Sequence, residues 1–141
     1  MPDSDDTLRL ANDLRIACQL VSRRVRFEGT HEVPPHQFSV LARLRESSFT
    51  PGGLAQIERV SKPSMSRTVG CLAEAGLVEV ADDPSDGRQK IVTLTEAGRA
   101  VIERTIRERD NWMLLRVQRL DPDQRALLRR ATDLIGALSA E

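Results

Sequence analysis

LAQIERVSKPSMSRTVGCLAEAGLVE, residues Leu54 to Glu79, is the stretch that decides the fold. Leu54, Ala55 and Ile57 mark a helix too short to stand alone, and Ser61-Lys62-Pro63 opens a second helix directly after it. Ser61 is a good N-cap, and Pro63 falls in the first turn, where its missing N–H would have had no helical partner anyway. At 100° per residue, Met65, Val69 and Leu72 line one face, while Lys62, Pro63, Arg67, Gly70 and Cys71 fall on the sides and the opposite face. Ala75-Gly76 then stops the helix. Two short helices meeting at a tight corner, the second docked by one face and polar on the other, predict a helix-turn-helix.

Downstream, Leu77, Val78 and Val80 read as a short strand and Ile91, Val92 and Leu94 as its partner. The polar turn ADDPSDGRQ joins them into a hairpin with a long tip. Thr95 caps a long helix in which Ala97, Val101, Ile102, Thr105, Ile106, Trp112 and Met113 carry a rough helical period toward Leu120. Asp121-Pro122-Asp123-Gln124 combines an N-cap, a proline at the first helical position and a capping-box partner, and Leu127, Ala131, Leu134 and Leu138 follow. Upstream, Leu10, Leu14, Ala17, Val21 and Val25 recur at steps of four, three, four and four, predicting a first helix from Thr7 to about Phe27. EGTHEVPP breaks that pattern, and Phe38, Leu41, Ala42 and Leu44 resume it in a shorter helix that begins at proline and ends near Ser47. The expected fold is therefore mainly α with a small β-hairpin wing.

The 141 residues suit one domain, and 40% hydrophobic with 30% charged residues is an ordinary globular balance. Cys18 and Cys71 lie far apart, and His31 and His36 fall in no metal-ligand spacing, so neither metal nor cofactor is expected. The acidic start MPDSDD and the lack of any long uncharged apolar stretch predict a cytoplasmic chain without membrane contact. Without a nucleophile–base pair, phosphate-cradling glycine loop or metal cluster, an enzyme is not expected.

Twenty-one basic and 21 acidic residues cancel, so any nucleic-acid footprint must be local. Between Ser61 and Ala73 the only charges are Lys62 and Arg67. Ser61, Ser64, Ser66 and Thr68 supply short hydroxyls for phosphates or base edges, and Arg67 has the reach for a guanine or a phosphate. At the hairpin tip, Asp86 stands two residues before Arg88, where a carboxylate could orient the guanidinium for a narrow minor groove. The same residues also fit caps, turn formers and a solvated face.

Taken together, the helix-turn-helix string, DPSDGRQKIVTLTEAG from Asp83 to Gly98, and the long helices at each end resemble the MarR family. The SKPSMSR and DGR…VTLTEAG motifs carry the likeness. The resemblance implies a two-fold homodimer that binds a palindromic operator in double-stranded DNA and usually represses. Residues 35–94 would then form the winged DNA-binding lobe, and 7–34 with 95–141 the dimerisation helices. By motif position, Ser61, Lys62, Ser64, Ser66 and Arg67 look like recognition-helix contacts, and Arg88, positioned by Asp86, like the wing contact. Glu58 and Arg59 depart from the leucine and glycine common in the family's turn, and Cys71 replaces a common basic residue. The amphipathic ends could equally cover the chain's own core.

The resemblance also implies release from DNA by a small aromatic or phenolic ligand, bound between the dimerisation helices and the lobe, or by cysteine oxidation. Candidates near that junction are Phe27, His31, His36, Phe38 and Trp112, with Arg15 or Arg23 to pair a carboxylate, although each also fits ordinary packing or surface. Cys18 is expected to be a buried, inert thiol. Cys71, with Arg67 one turn before it, is the candidate redox switch, and the absence of tyrosine disfavours the family's peroxide-sensing arrangement. Two alternatives stay open: a winged helix that contacts proteins instead of DNA, and a cysteine-based redox regulator.

Overall fold

The computed structural model describes residues 2–29 and 31–140. The elements run α1 (Pro2–Phe27), α2 (Pro35–Leu44), α3 (Pro51–Glu58), α4 (Lys62–Glu74), β1 (Val78–Asp82), β2 (Lys90–Leu94), α5 (Glu96–Val117) and α6 (Pro122–Ser139). The order matches the sequence reading, and the boundaries shift for local reasons. Helix α1 begins before Thr7, where acids suit the positive end of the helix dipole and Asp5 pairs with Arg9 one turn on at 2.7 Å. Helix α2 stops before Ser47 because Phe49 is drawn into an antiparallel bridge with Val92. Helix α5 ends at Val117, and the chain tightens through Leu120 N–H to Val117 O (3.1 Å) before the Asp121 cap.

Short α3 and α4 are stable only because they share one core. Leu41 of α2, Leu54 of α3 and Leu72 of α4 are fully buried, with Met65, Val92 and Ile102 beside them. The hairpin pairs Val78 with Leu94 and Val80 with Val92. Its junction with α5 explains the VTLTEAG string. Thr95 caps α5 by accepting the Gly98 N–H at 3.1 Å and donates its hydroxyl to Gly76 O at 2.7 Å. A Cβ at Gly98 would lie 2.2 Å from the Leu77 carbonyl oxygen, so only glycine lets α5 start against the strand. Gly76 ends α4 at φ +73°, a conformation open to glycine without strain.

The terminal helices contrast with this lobe. No residue of α6 is buried, and Leu127, Leu128, Leu134, Ile135 and Leu138 are exposed. Of the described apolar residues in α1, only Leu14 and Val25 are even half-buried. Cys18 is exposed, contrary to expectation, because its helix face opens on an apolar groove of about 930 Å³ between α1, α5 and α6 instead of on the core. Polar contacts tie the end of α1 and the following loop to α5. Glu28 accepts from Arg24 (2.6 Å) and from Trp112 Nε1 (3.2 Å), and Arg104 grips Glu32 with two bonds of 2.8 and 3.0 Å. The Arg24 hydrogen bond, then the Trp112 N–H and the nearby charges of Arg24 and Arg116, hold the Glu28 carboxyl below its ordinary range against some desolvation. Among the described residues, no helix is long and apolar enough to cross a membrane.

Candidate nucleic-acid interface

The corner between α3 and α4 is closed by backbone geometry. Arg59 adopts φ 54°, ψ 46°, its N–H turned back to the end of α3, and Val60 N–H reaches Ala55 O at 3.0 Å. A left-handed residue with a side chain is strained by about 1–2 kcal/mol, which is why glycine suits this place. The second departure is absorbed by packing: the half-buried Glu58 carboxylate accepts from Ser39 Oγ (2.8 Å) and Arg43 Nε (3.0 Å), tying α3 to α2.

Helix α4 then starts at Ser61, whose hydroxyl oxygen accepts the Ser64 N–H at 3.2 Å. Met65, Val69 and Leu72 are buried, while Ser61, Lys62, Ser66, Arg67 and Cys71 are exposed and Ser64 is half-exposed. Thr68 turns its hydroxyl inward to the Ser64 carbonyl (3.2 Å), which leaves it less available than its neighbours. A hollow of about 290 Å³ beside α4 is lined by Ser64, Arg67, Thr68 and Cys71 together with His36 and Gln37 of α2. The first turn of α2 thus flanks the cationic face, which no local sequence signal reveals.

The wing tip is a hydrogen-bonded loop. Asp83 accepts from Ser85 N–H (2.9 Å) and Ser85 Oγ (2.7 Å), and these bonds, the N–H first, hold its carboxyl below the ordinary range. Asp86 accepts the backbone N–H of Arg88 at 3.1 Å, and no Asp86–Arg88 ion pair forms. The expected role of Asp86 is corrected accordingly: it shapes the turn, and the exposed Arg88 guanidinium is left free to project. Lys90 pairs with Asp82 at the base of the tip.

The effector candidates do not converge. Phe38 is buried under the Arg109 guanidinium, Trp112 borders the groove of the terminal helices, and His36 belongs with α4. Phe27 is 62% exposed, His31 is half-buried, Arg15 bonds Asn12 and Gln19 along α1, and Arg23 is exposed. Among the described residues, no group of three or more His, Cys, Asp or Glu could hold a metal ion.

Residues 31–89 match the family model described as the MarR family. Over 100% of its length the chain is 41% identical to an uncharacterised HTH-type transcriptional regulator of Mycobacterium bovis, covering 99% of that protein. The chain belongs to the MarR family. A second relative, from Mycobacterium leprae and also described as an uncharacterised HTH-type transcriptional regulator, is 40% identical over 96% of this chain and 94% of its own. A Pseudomonas aeruginosa protein described as a transcriptional regulator superposes with TM-score 0.80 at 28% identity, over 95% of this chain and 96% of that one. MepR of Staphylococcus aureus, solved with an oligodeoxyribonucleotide, shares the fold at TM-score 0.69 and 18% identity, over 92% of this chain and 97% of that one. This MarR-family chain is thus a winged helix-turn-helix transcriptional regulator with a DNA-binding fold, in a family of regulators and not of enzymes.

Proposed function

We propose that the protein is a cytoplasmic homodimeric repressor that binds a palindromic operator in double-stranded DNA and is released by a small aromatic ligand. The observation that carries this reading is α4 itself: its apolar face is locked in the core, and its exposed face holds Lys62 and Arg67 with no acid from Ser61 to Ala73. In the major groove, Ser61, Lys62, Ser64, Ser66 and Arg67 contact phosphates and base edges, while the projecting Arg88, on a tip braced by Asp86, enters the minor groove. The exposed leucines of α1 and α6 support pairing with a second copy, and a two-fold protein reads a two-fold site.

Cys71 favours a second input to the same function, since it is exposed beside Arg67 and an oxidised or modified thiol there would obstruct DNA. The proposal is tested by selecting genomic fragments with the purified protein near physiological salt, then titrating salt on the best fragment. An enriched palindrome with a steep salt dependence is expected. No enrichment would overturn DNA binding in favour of a protein-binding winged helix.

A further inference from the structure

Among the described residues, Arg59 is the one non-glycine residue at positive φ, and it stands at the corner between α3 and α4, two positions before the Ser61 cap. Its N–H and that of Val60 turn back to the end of α3, which fixes the corner in this left-handed form. Glycine would take the conformation without strain. The arginine side chain offsets none of that strain within the chain. It is exposed, and among the described residues it forms neither an ion pair nor a side-chain hydrogen bond. Its neighbour Glu58 does not neutralise it, because that carboxylate is half-buried and occupied by Ser39 Oγ and Arg43 Nε. Glu58 is also the sole acid from Pro51 to Ala73, a span that holds Arg59, Lys62 and Arg67. With its charge committed to Arg43, the corner and the exposed face of α4 carry three cations that, among the described residues, have no acidic partner.

A sparsely populated backbone conformation, held by a residue whose side chain does nothing for the fold, points to a use outside the fold. We propose that Arg59 is a DNA-backbone contact, its guanidinium binding a phosphate beside the place where the α4 N-terminus enters the major groove. The inference rests on the DNA-binding reading above and extends it: the contacts assigned there begin at Ser61, whereas Arg59 lies outside α4, at a turn where glycine is common in the family. A guanidinium offers a phosphate two parallel N–H bonds. From the turn it meets the sugar–phosphate edge of the groove and not the bases, so the contact adds affinity for any duplex and no preference for sequence. Glu58 and Arg59 then work as a pair. The carboxylate fastens α3 to α2, and the guanidinium beside it is left to the phosphate.

The test is fluorescence anisotropy of the full chain on the best selected duplex and on a scrambled duplex of the same length, with thermal unfolding of the DNA-free protein beside it. Arg59→Gly should leave Tm unchanged or higher, because it relieves the left-handed strain, yet weaken binding to both duplexes by a similar factor, about tenfold. Its salt dependence should be shallower by about one per subunit. Arg59→Gln keeps a side chain on the left-handed backbone and removes the charge, so it should lose as much, while Arg59→Lys should retain most of the affinity. Unchanged affinity and salt dependence in Arg59→Gly and Arg59→Gln, with the wild type binding normally, overturn the contact and leave the DNA-binding reading intact. A loss in Arg59→Gly that Arg59→Gln does not share would assign the effect to the backbone of the turn and overturn it too. A loss confined to the selected duplex would make Arg59 a base reader and overturn the phosphate assignment. A lower Tm for Arg59→Gly with unchanged affinity would show a cation that serves the C-terminal end of α3, which overturns it equally. A wild-type chain that binds neither duplex overturns the underlying reading, and the contact with it.

Discussion

Leu41, Leu54 and Leu72 of the winged lobe are fully buried, whereas Leu127, Leu134 and Leu138 of α6 stand 66%, 67% and 60% exposed. Both regions carry the same helical apolar period. In the lobe the period finds partners on neighbouring elements of the same chain, and in the terminal helices it does not. A leucine buried against a partner contributes roughly 1.5–3 kcal/mol, so covering the exposed row on α6 is what the proposed pairing with a second copy would gain. Periodicity therefore reveals an apolar face but not whose atoms cover it.

Core truncation should break the lobe outright. Leu72→Ala is expected to destabilise by about 2–5 kcal/mol in urea unfolding, by the same amount at every protein concentration. A loss that varied with concentration would place Leu72 in the intermolecular surface instead. On the other side of the comparison, Leu134→Asp should turn dimer to monomer in sedimentation velocity with helix content kept. Operator affinity should fall about a hundredfold, equivalent to about 2.8 kcal/mol. A stable monomeric wild type would defeat this contrast.

Within the lobe, Gly98→Ala drives a methyl toward the Leu77 carbonyl and should cost about 1–3 kcal/mol in thermal unfolding. An unchanged Tm would mean that the wing junction yields easily. Arg67→Ala should weaken operator binding by about 1–3 kcal/mol if it reads a base pair, and Arg88→Ala by less, both by fluorescence anisotropy with unchanged stability. The smallest effect belongs to the latch between the end of α1 and α5. Because the folded Glu28 pKa is depressed, its contribution is present above the ordinary carboxyl value and fades as pH falls through the folded one. Fluorescence of the sole tryptophan, Trp112, should report that loss below the ordinary carboxylate range, and Glu28→Gln should abolish the step.

Much of the fold was legible because its signals are local. Ser61, Thr95 and the Asp121–Gln124 box cap the helices they announce, and Met65, Val69 and Leu72 face the core. What escaped depends on residues distant in sequence or on atoms within a turn. Asp86 was expected to hold a side chain and holds a backbone N–H, a choice set by tip geometry. Cys18 lies on an apolar face, but that face opens on the groove between α1, α5 and α6 and is not packed in the core. Glu58 looked like a defect in the turn until Ser39 and Arg43 were seen to meet it.

Hydroxyl-radical footprinting of the wild-type protein on its best selected fragment tests the central claim most directly. Two protected segments, related by two-fold symmetry with centres about 10 base pairs apart or a multiple of that, are predicted for paired α4 helices in successive major grooves. A single unsymmetric footprint, or protection unrelated to the helical repeat, would contradict it.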